Sequence, residues 1–295
     1  MRLMLQFPEG LKKLALAKAK EYEAQGHEVF ISAAPCFGGC DIALEEAKAV
    51  KADKIIHFGH AEFTKVPFPI EYVEYPIDVE YEKVMGKALE ELKNYGKIGL
   101  ITTVQHVHIL PRIRKFLEQH GKRVFVGRGV LARHEGQILG CDTLAASSIK
   151  EKVDCFVYFG GGFFHPLGIE VSKPVLIADP FNNTVQWIDA KDAEKKWKGL
   201  LTKAIYANSF GILVSTKVGQ FNLEGARAAK KRLEAKGKRA EILVGNFMDF
   251  GTLDNFRAFD AYVNTACPRI RDDFERAKKP VLNLDDLAEL LKLLP

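Results

Sequence analysis

The chain has 295 residues, 47% apolar and 27% charged, with 43 Lys and Arg against 38 Asp and Glu for a formal net charge of +5. That length allows two or three domains of roughly 100–150 residues each, and the composition excludes a disordered or collagen-like chain. The mild positive balance permits an acidic or RNA-linked partner without arguing for one, and no motif for direct nucleic-acid binding occurs.

The first apolar run, RLMLQF from Arg2, reads as a strand. It meets Pro8, Glu9 and Gly10 too early to be the apolar stretch of a signal peptide. No run approaches the ~20 residues that cross a bilayer, so the expectation is a cytoplasmic protein without a membrane partner. The amphipathic helix LALAKAKEYEAQG ends on Gly26, and the β-branched and aromatic run HEVFIS follows at once. Glycine there supplies the left-handed residue that stops a helix. Next come CFGGCD, residues 36–41, and a third strand signal, DKIIHFGH, opened by Asp53.

The plan then recurs. KIGLITT, the helix LPRIRKFLEQHG ending on Gly121, KRVFVG, ILGCD, and DCFVYFGG opened by Asp154 follow in the same order, with KPVLIADP as a fourth strand after a Lys-Pro turn. DAKDAEKKWKGL, residues 189–200, reads as a joining helix. A third copy runs FGILVST, EGARAAKKRLEAKG with Gly237, KRAEILVG, DAYVNTAC opened by Asp260, and KPVLNLDD. Near-continuous apolar strands alternating with helices indicate parallel sheets covered on both faces. The expected fold is α/β: three repeated small Rossmann-like parallel-sheet domains, over residues 1–83, 84–188 and 189–295, in a pseudo-threefold arrangement. The repeat period exceeds that of solenoids.

Five cysteines in a reducing compartment argue against a disulfide framework and towards metal or catalysis for some of them. Cys40 stands thirteen residues before Asp53, and Cys141 thirteen before Asp154. They therefore occupy the same place in two copies, read as the end of the second strand, with Asp41 and Asp142 placed to cap the next helix. The third copy carries Phe247 there, and its cysteine is Cys267 at the end of the third strand, in register with His60 and Gly161. Each repeat thus offers one thiol at the carboxyl side of a parallel sheet, where such folds build their sites. Cys155 sits inside an apolar strand and reads as core. Cys36 forms C-x3-C with Cys40 and stays open between a redox partner and a packed thiol. Three thiolates suit zinc or an iron–sulfur cluster. Structural zinc takes tight C-x2-C pairs and four ligands, and no such pair occurs, whereas a cluster on three cysteines keeps one iron open for catalysis.

GGGFFHPLG, Gly160 to Gly168, follows a strand and offers backbone N–H groups to an anion, but His165 stands where a dinucleotide fingerprint needs glycine. His106 and His108 in TTVQHVHIL are read on one face of an extended segment, where a polar strand end is the commoner reading and a zinc pair the rarer one. STKVGQ, Ser215 to Gln220, ends a strand with a lysine and an amide available to an anionic ligand.

GGCD, QHVHIL, GQILGCD, GGGFFHPLG, STKVGQ and NTACPRI, in this order and at these spacings, resemble the diphthamide-biosynthesis enzymes, the 2-(3-amino-3-carboxypropyl)histidine synthases. The match runs from about residue 3 to 285; Phe37 and Gly39 depart from the commoner tyrosine and alanine. The resemblance implies three related domains, each giving one cysteine (Cys40, Cys141, Cys267) to a 4Fe-4S cluster whose open iron chelates S-adenosylmethionine. It implies that the reduced cluster cleaves the sulfonium at its γ-carbon, and that the 3-amino-3-carboxypropyl radical adds to a histidine of translation elongation factor 2. It implies also a homodimer and an electron donor. Around the cosubstrate it suggests Gly161, Gly162 and His165 of the glycine-rich loop, Lys217 and Arg269 for the carboxylate, and Gln105 and Gln220 for polar contacts. Two other classes stay open: a zinc- or thiol-dependent nucleotide-processing enzyme, and a non-catalytic redox or regulatory partner subunit.

Overall fold

The computed structural model describes residues 1–169, 173–273 and 278–294, and the chain divides into two compact units, Met1–Ile188 and Asp189–Pro295. The first unit contains two sheets. In the first lie β1 (Arg2–Gln6), β2 (Glu28–Ile31), β3 (Lys54–Phe58) and β4 (Ile70–Val73), all parallel, in the order β2-β1-β3-β4. Helices α1 (Ala15–Glu23) and α2 (Leu44–Ala49) connect them, and α3 (Glu82–Glu91) leads onward. The second sheet holds β5 (Lys97–Thr102), β6 (Arg123–Phe125), β7 (Cys155–Phe159), β8 (Val175–Asp179) and β9 (Thr184–Trp187), in the order β6-β5-β7-β8-β9, with helices α4 (Leu110–Gln119) and α5 (Leu144–Ser147). Among the described residues only β9 runs antiparallel to its neighbour.

The second unit begins with α6 (Ala190–Ile205), which covers and extends the predicted joining helix. Its sheet comprises β10 (Ser209–Ser215), β11 (Arg239–Gly245), β12 (Ala261–Asn264) and β13 (Val281–Asn283), parallel, in the order β11-β10-β12-β13, with α7 (Leu223–Glu234), α8 (Phe250–Asp254), α9 (Ile270–Asp273) and α10 (Asp286–Leu293). All three sheets share one order, second-first-third-fourth. The chain goes to one side of its first strand and then to the other, which opens a crevice at the carboxyl ends of the first and third strands.

The repeated residues make the repeated structure. Gly26, Gly121 and Gly237 sit at φ +84°, +77° and +70°, each ending its helix in the left-handed conformation. In each case the next N–H reaches back to a helix carbonyl: His27 to Tyr22, Lys122 to Leu117, Lys238 to Leu233. That is a Schellman closure three times over. The three strand-opening aspartates also act alike. Asp53 accepts the Arg2 N–H at 2.7 Å; Asp154 accepts Gly96 and Lys97 at 2.9 and 2.7 Å; Asp260 accepts Asn208 and Ser209, both at 3.0 Å. Each carboxylate clasps the amino end of the adjoining first strand and so fixes the register of first on third. Those bonds to backbone N–H hold the carboxyl of Asp154 below its usual range; for Asp260 the Ser209 hydroxyl acts first and backbone N–H groups add to it.

Strand alternation buries both faces. On the first sheet Leu3, Leu5, Phe7, Ile56 and Phe58 pack with Ala15 and Ala19 of α1, while Met4 and Ile55 pack with Ile42, Ala43 and Ala47 on the other side. In the second sheet Ile98, Leu100, Val157 and Phe159 face α3 and α4, and Phe156, Tyr158 and Ile177 face Ala145 and Ala146. Cys155 is fully buried in that core and burial pushes its thiol up to about 12, as a core residue requires. In register across the first and third strands, Gly99 pairs with Phe156 and Gly211 with Tyr262, the ring lying over the glycine each time.

Three placements differ from the sequence reading. Cys40 and Cys141 are not at the ends of second strands; β2 stops at Ile31 and β6 at Phe125, and both thiols ride on long loops beyond them. Asp41 does not cap α2: its carboxylate turns back to accept the Phe37 N–H at 3.3 Å, and the first residue before α2 is Ala43. Further, Val104–Ile109 is a 3-10 turn feeding α4 rather than an extended segment. His106 is buried, with Nδ1 3.2 Å from the Ile77 carbonyl, and His108 Nε2 lies 3.0 Å from Asp78 Oδ1, so the two rings serve separate partners and the zinc-pair reading falls.

Candidate active site

Exposure sorts the cysteines. Cys36 and Cys155 are buried, Cys40 and Cys267 are half-buried, and Cys141 is exposed. The three thiols singled out by the repeat are thus the ones with access to solvent.

In the first unit, the loops carrying Cys40 and Cys141 both lean on one cleft. That cleft has a volume of about 430 Å³ and is walled by residues 62–65 from one repeat and 128–133 from the next. Gly39 packs so closely on the first wall that a Cβ there would meet the Ala61 carbonyl at 2.6 Å and Phe63 at 3.0 Å. Asp142 grips the second wall: its Oδ2 accepts the N–H groups of Leu131 at 2.7 Å and Ala132 at 3.0 Å, and its Oδ1 accepts Leu144 at 3.0 Å. Gly168, at the end of the glycine-rich loop, presses on the Gly140 carbonyl, one residue before Cys141. Among the lining residues Lys65, Arg128 and Arg133 are cations and Glu62 is the carboxylate; with Arg133 paired to Glu74 just outside, the balance still leaves a positive field that favours an anionic ligand group.

The two repeats of this unit are also cross-linked near the site. Gln105 donates its amide to the Gly59 carbonyl, and its own carbonyl accepts the Ile77 N–H at 3.0 Å. Glu74, just past β4, meets His134 at 2.8 Å and Arg133 at 3.6 Å. Gln105 therefore acts as a tie between loops in this structure. The glycine-rich loop begins at Gly160–Gly162, where Gly162 has φ +74° and a Cβ on Gly161 would meet the Phe181 ring at 3.0 Å. Burial depresses the His60 imidazole, and His165 at the far side of this loop lies near enough to add to that electrostatically.

The first crevice is filled by side chains the sequence reading passed over. His57, at the end of β3, is fully buried; its Nδ1 lies 2.8 Å from Gln6 Oε1 and its Nε2 2.9 Å from His60 Nδ1. The HFGH tetrapeptide was the available signal. In the second unit Lys217 is buried after β10, with its backbone N–H on the Ser215 hydroxyl at 3.1 Å. Gln220 closes the same turn onto the Lys217 carbonyl at 2.9 Å. Asn264 Nδ2 donates to the Cys267 carbonyl at 2.8 Å and to Asn283 at 2.9 Å, fixing the loop that carries Cys267 and the buried Arg269.

Comparison with known proteins gives a consistent answer. A family model described as a putative diphthamide synthesis protein matches residues 7–293. The chain is 36% identical to 2-(3-amino-3-carboxypropyl)histidine synthase from Pyrococcus horikoshii, over 99% of this chain and 86% of that one. It is 27% identical to 2-(3-amino-3-carboxypropyl)histidine synthase subunit 1 from Saccharomyces cerevisiae, over 99% of this chain and 71% of that one. The crystal structure of Dph2 from Pyrococcus horikoshii with a 4Fe-4S cluster matches the fold with a TM-score of 0.91 at 36% identity, covering 99% of this chain and 86% of that one.

Proposed function

The chain belongs to the diphthamide synthesis protein family, and from that premise we propose that it is a 2-(3-amino-3-carboxypropyl)histidine synthase. It transfers the 3-amino-3-carboxypropyl group of S-adenosylmethionine to a histidine of translation elongation factor 2, the first step of diphthamide formation. One observation on this chain carries the reading: the loops of Cys40 and Cys141 pack on opposite walls of the same charged cleft.

The residues fit a 4Fe-4S cluster. Cys40, Cys141 and Cys267 are soft donors with solvent access, one to each repeat, and the two other cysteines are buried. When bound, the cluster supplies the electron that opens the sulfonium–γ-carbon bond. The rest is positioning by the chain. Asp142 and Gly39 hold their neighbouring thiols to the cleft walls. Lys65 and Arg128 attract the cosubstrate carboxylate into the cleft, and the reading gives Lys217 and Arg269 to that carboxylate and Gly161, Gly162, His165 and Gln220 to further polar contacts with the cosubstrate. Gln105 contributes by tying the two repeats together.

The reading includes a domain for each repeat, at 1–83, 84–188 and 189–295. It includes a homodimer, an electron donor, action in the cytoplasm, and no nucleic-acid or membrane partner; among the described residues no helix is long and apolar enough to cross a membrane. The zinc- or thiol-dependent enzyme and the non-catalytic subunit lose favour because all three accessible thiols are present. The test is anaerobic purification, then incubation with reductant, elongation factor 2 and labelled S-adenosylmethionine. About four irons per chain and a mass gain of one 3-amino-3-carboxypropyl group on a single histidine are expected; an unmodified factor with cluster-loaded enzyme overturns the assignment.

A further inference from the structure

Cys36 is the one cysteine that neither the strand core nor the cluster accounts for. It is buried at 3% exposure, in the loop four residues before Cys40. Its Sγ and one ligand atom each from His57 and His60 lie within 4.8 Å of one another. The surrounding bonds settle which nitrogen His57 offers. Gln6 Nε2 donates to the Asp41 carbonyl at 2.7 Å, so Gln6 Oε1 is the atom that accepts the Ala43 N–H at 3.0 Å and faces His57 Nδ1 at 2.8 Å. An amide oxygen cannot donate. His57 Nδ1 therefore carries the hydrogen, and its Nε2 presents a lone pair. This is how metal-binding imidazoles are held, with the far N–H committed to an oxygen and the near nitrogen bare.

We propose that Cys36, His57 and His60 form a second metal site, for a divalent ion of the zinc class, distinct from the cluster site. The donors are a thiol and two imidazoles with no carboxylate among them, which suits a borderline-soft ion and disfavours magnesium or calcium. Zinc–nitrogen bonds near 2.0–2.1 Å and zinc–sulfur bonds near 2.3 Å place tetrahedral donors roughly 3.3–3.6 Å apart. The 2.9 Å between His57 Nε2 and His60 Nδ1 then opens by a few tenths of an ångström, while the sulfur draws in. Burial depresses both imidazoles, His57 to about 3 and His60 to about 4, so both rings are neutral and ready to ligate at neutral pH. The binding step balances without oxidant or reductant. The proton now shared between the rings moves to His60 Nε2, Cys36 loses its S–H proton to solvent, and one proton leaves for each ion bound.

The proposal stands apart from the transferase reading, and its test reads metal rather than product. Cluster-loaded full-length protein is incubated anaerobically with zinc sulfate, freed of unbound metal, and analysed for zinc and iron together. One zinc per chain with iron unchanged is expected. Cys36→Ala and His57→Gln should weaken zinc retention at least tenfold and leave iron intact. Cobalt added in place of zinc should give tetrahedral ligand-field bands in the difference spectrum, lost in Cys36→Ala; if that variant does not fold, Cys36→Ser serves, since it keeps the side-chain size. Failure to retain zinc, equal retention in folded Cys36 variants, or iron falling as zinc rises would each overturn the site, the last because zinc would then be taking the cluster's thiols.

Discussion

Asp142 Oδ2 accepts the backbone N–H of Leu131 at 2.7 Å, so the residue next to Cys141 holds one wall of the cleft. The same carboxylate takes Ala132 and Leu144 and is almost wholly buried. Asp142→Ala leaves three N–H groups without their charged acceptor, at a cost of about 2–3 kcal/mol. We expect a lower urea midpoint together with reduced iron content, and a milder loss in Asp142→Asn.

The two cysteines of the second repeat should separate cleanly. Cys141→Ala should abolish both the cluster and product, because on the proposed assignment it removes a ligand. Cys155→Ala should keep iron and activity and cost about 1 kcal/mol through a small core cavity. Iron analysis beside thermal unfolding tests both at once; a full cluster in the Cys141 variant refutes its role.

Reversing charge in the cleft should act on cosubstrate alone. Among the lining residues, Arg128→Glu turns three cations and one carboxylate into two of each, with Arg133 already paired to Glu74. The KM for S-adenosylmethionine should rise about tenfold, equivalent to about 1.4 kcal/mol, with iron per chain unchanged. Steady-state kinetics at low and high salt would show the effect shrinking as salt screens the cleft.

Glycines under aromatic rings cannot take a side chain. A Cβ on Gly211 would meet the Tyr262 ring at 2.6 Å, and the ring is locked by its hydroxyl on the Leu253 carbonyl at 2.6 Å. Gly211→Ala should destabilise by about 1–3 kcal/mol. Gly86, inside α3 with open space where its Cβ would go, is the counterpart: Gly86→Ala should stabilise by about 0.5–1 kcal/mol. Calorimetric midpoints moving in opposite directions would bear this out.

The strand clasps predict an acid limb. The Ser209 hydroxyl and two backbone N–H groups hold Asp260 below its usual range. Its unfolded value is higher, so its stabilisation is complete above about pH 4 and disappears as pH falls through the folded value. The difference in unfolding free energy between wild type and Asp260→Asn should be about 1 kcal/mol or less at pH 7, because the group is exposed to water, and should vanish by the acid end of a pH series.

Much of this could be read from the chain alone. Helix-ending glycines and strand-opening aspartates are local signals whose order survives in all three copies, so elements and repeat were legible. β4 and β9 were not: IEYV and TVQW are short and their burial is set by neighbouring strands, a tertiary fact. The cysteines were legible as equivalent positions, yet their seat on loops was misread as strand ends, because GGCD and LGCD carry no mark of where the preceding strand stops. The tautomer of His57 depends on Gln6, fifty-one positions away, and no reading of spacing could supply it.

The antiparallel β9 has a topological effect. Trp187 pairs with Leu176 near the start of β8, so the chain leaves its second sheet at the amino ends of the parallel strands, opposite the rim that carries the thiol loops. The link into α6 therefore starts from the side of that sheet away from the rim on which the loop of Cys141 stands.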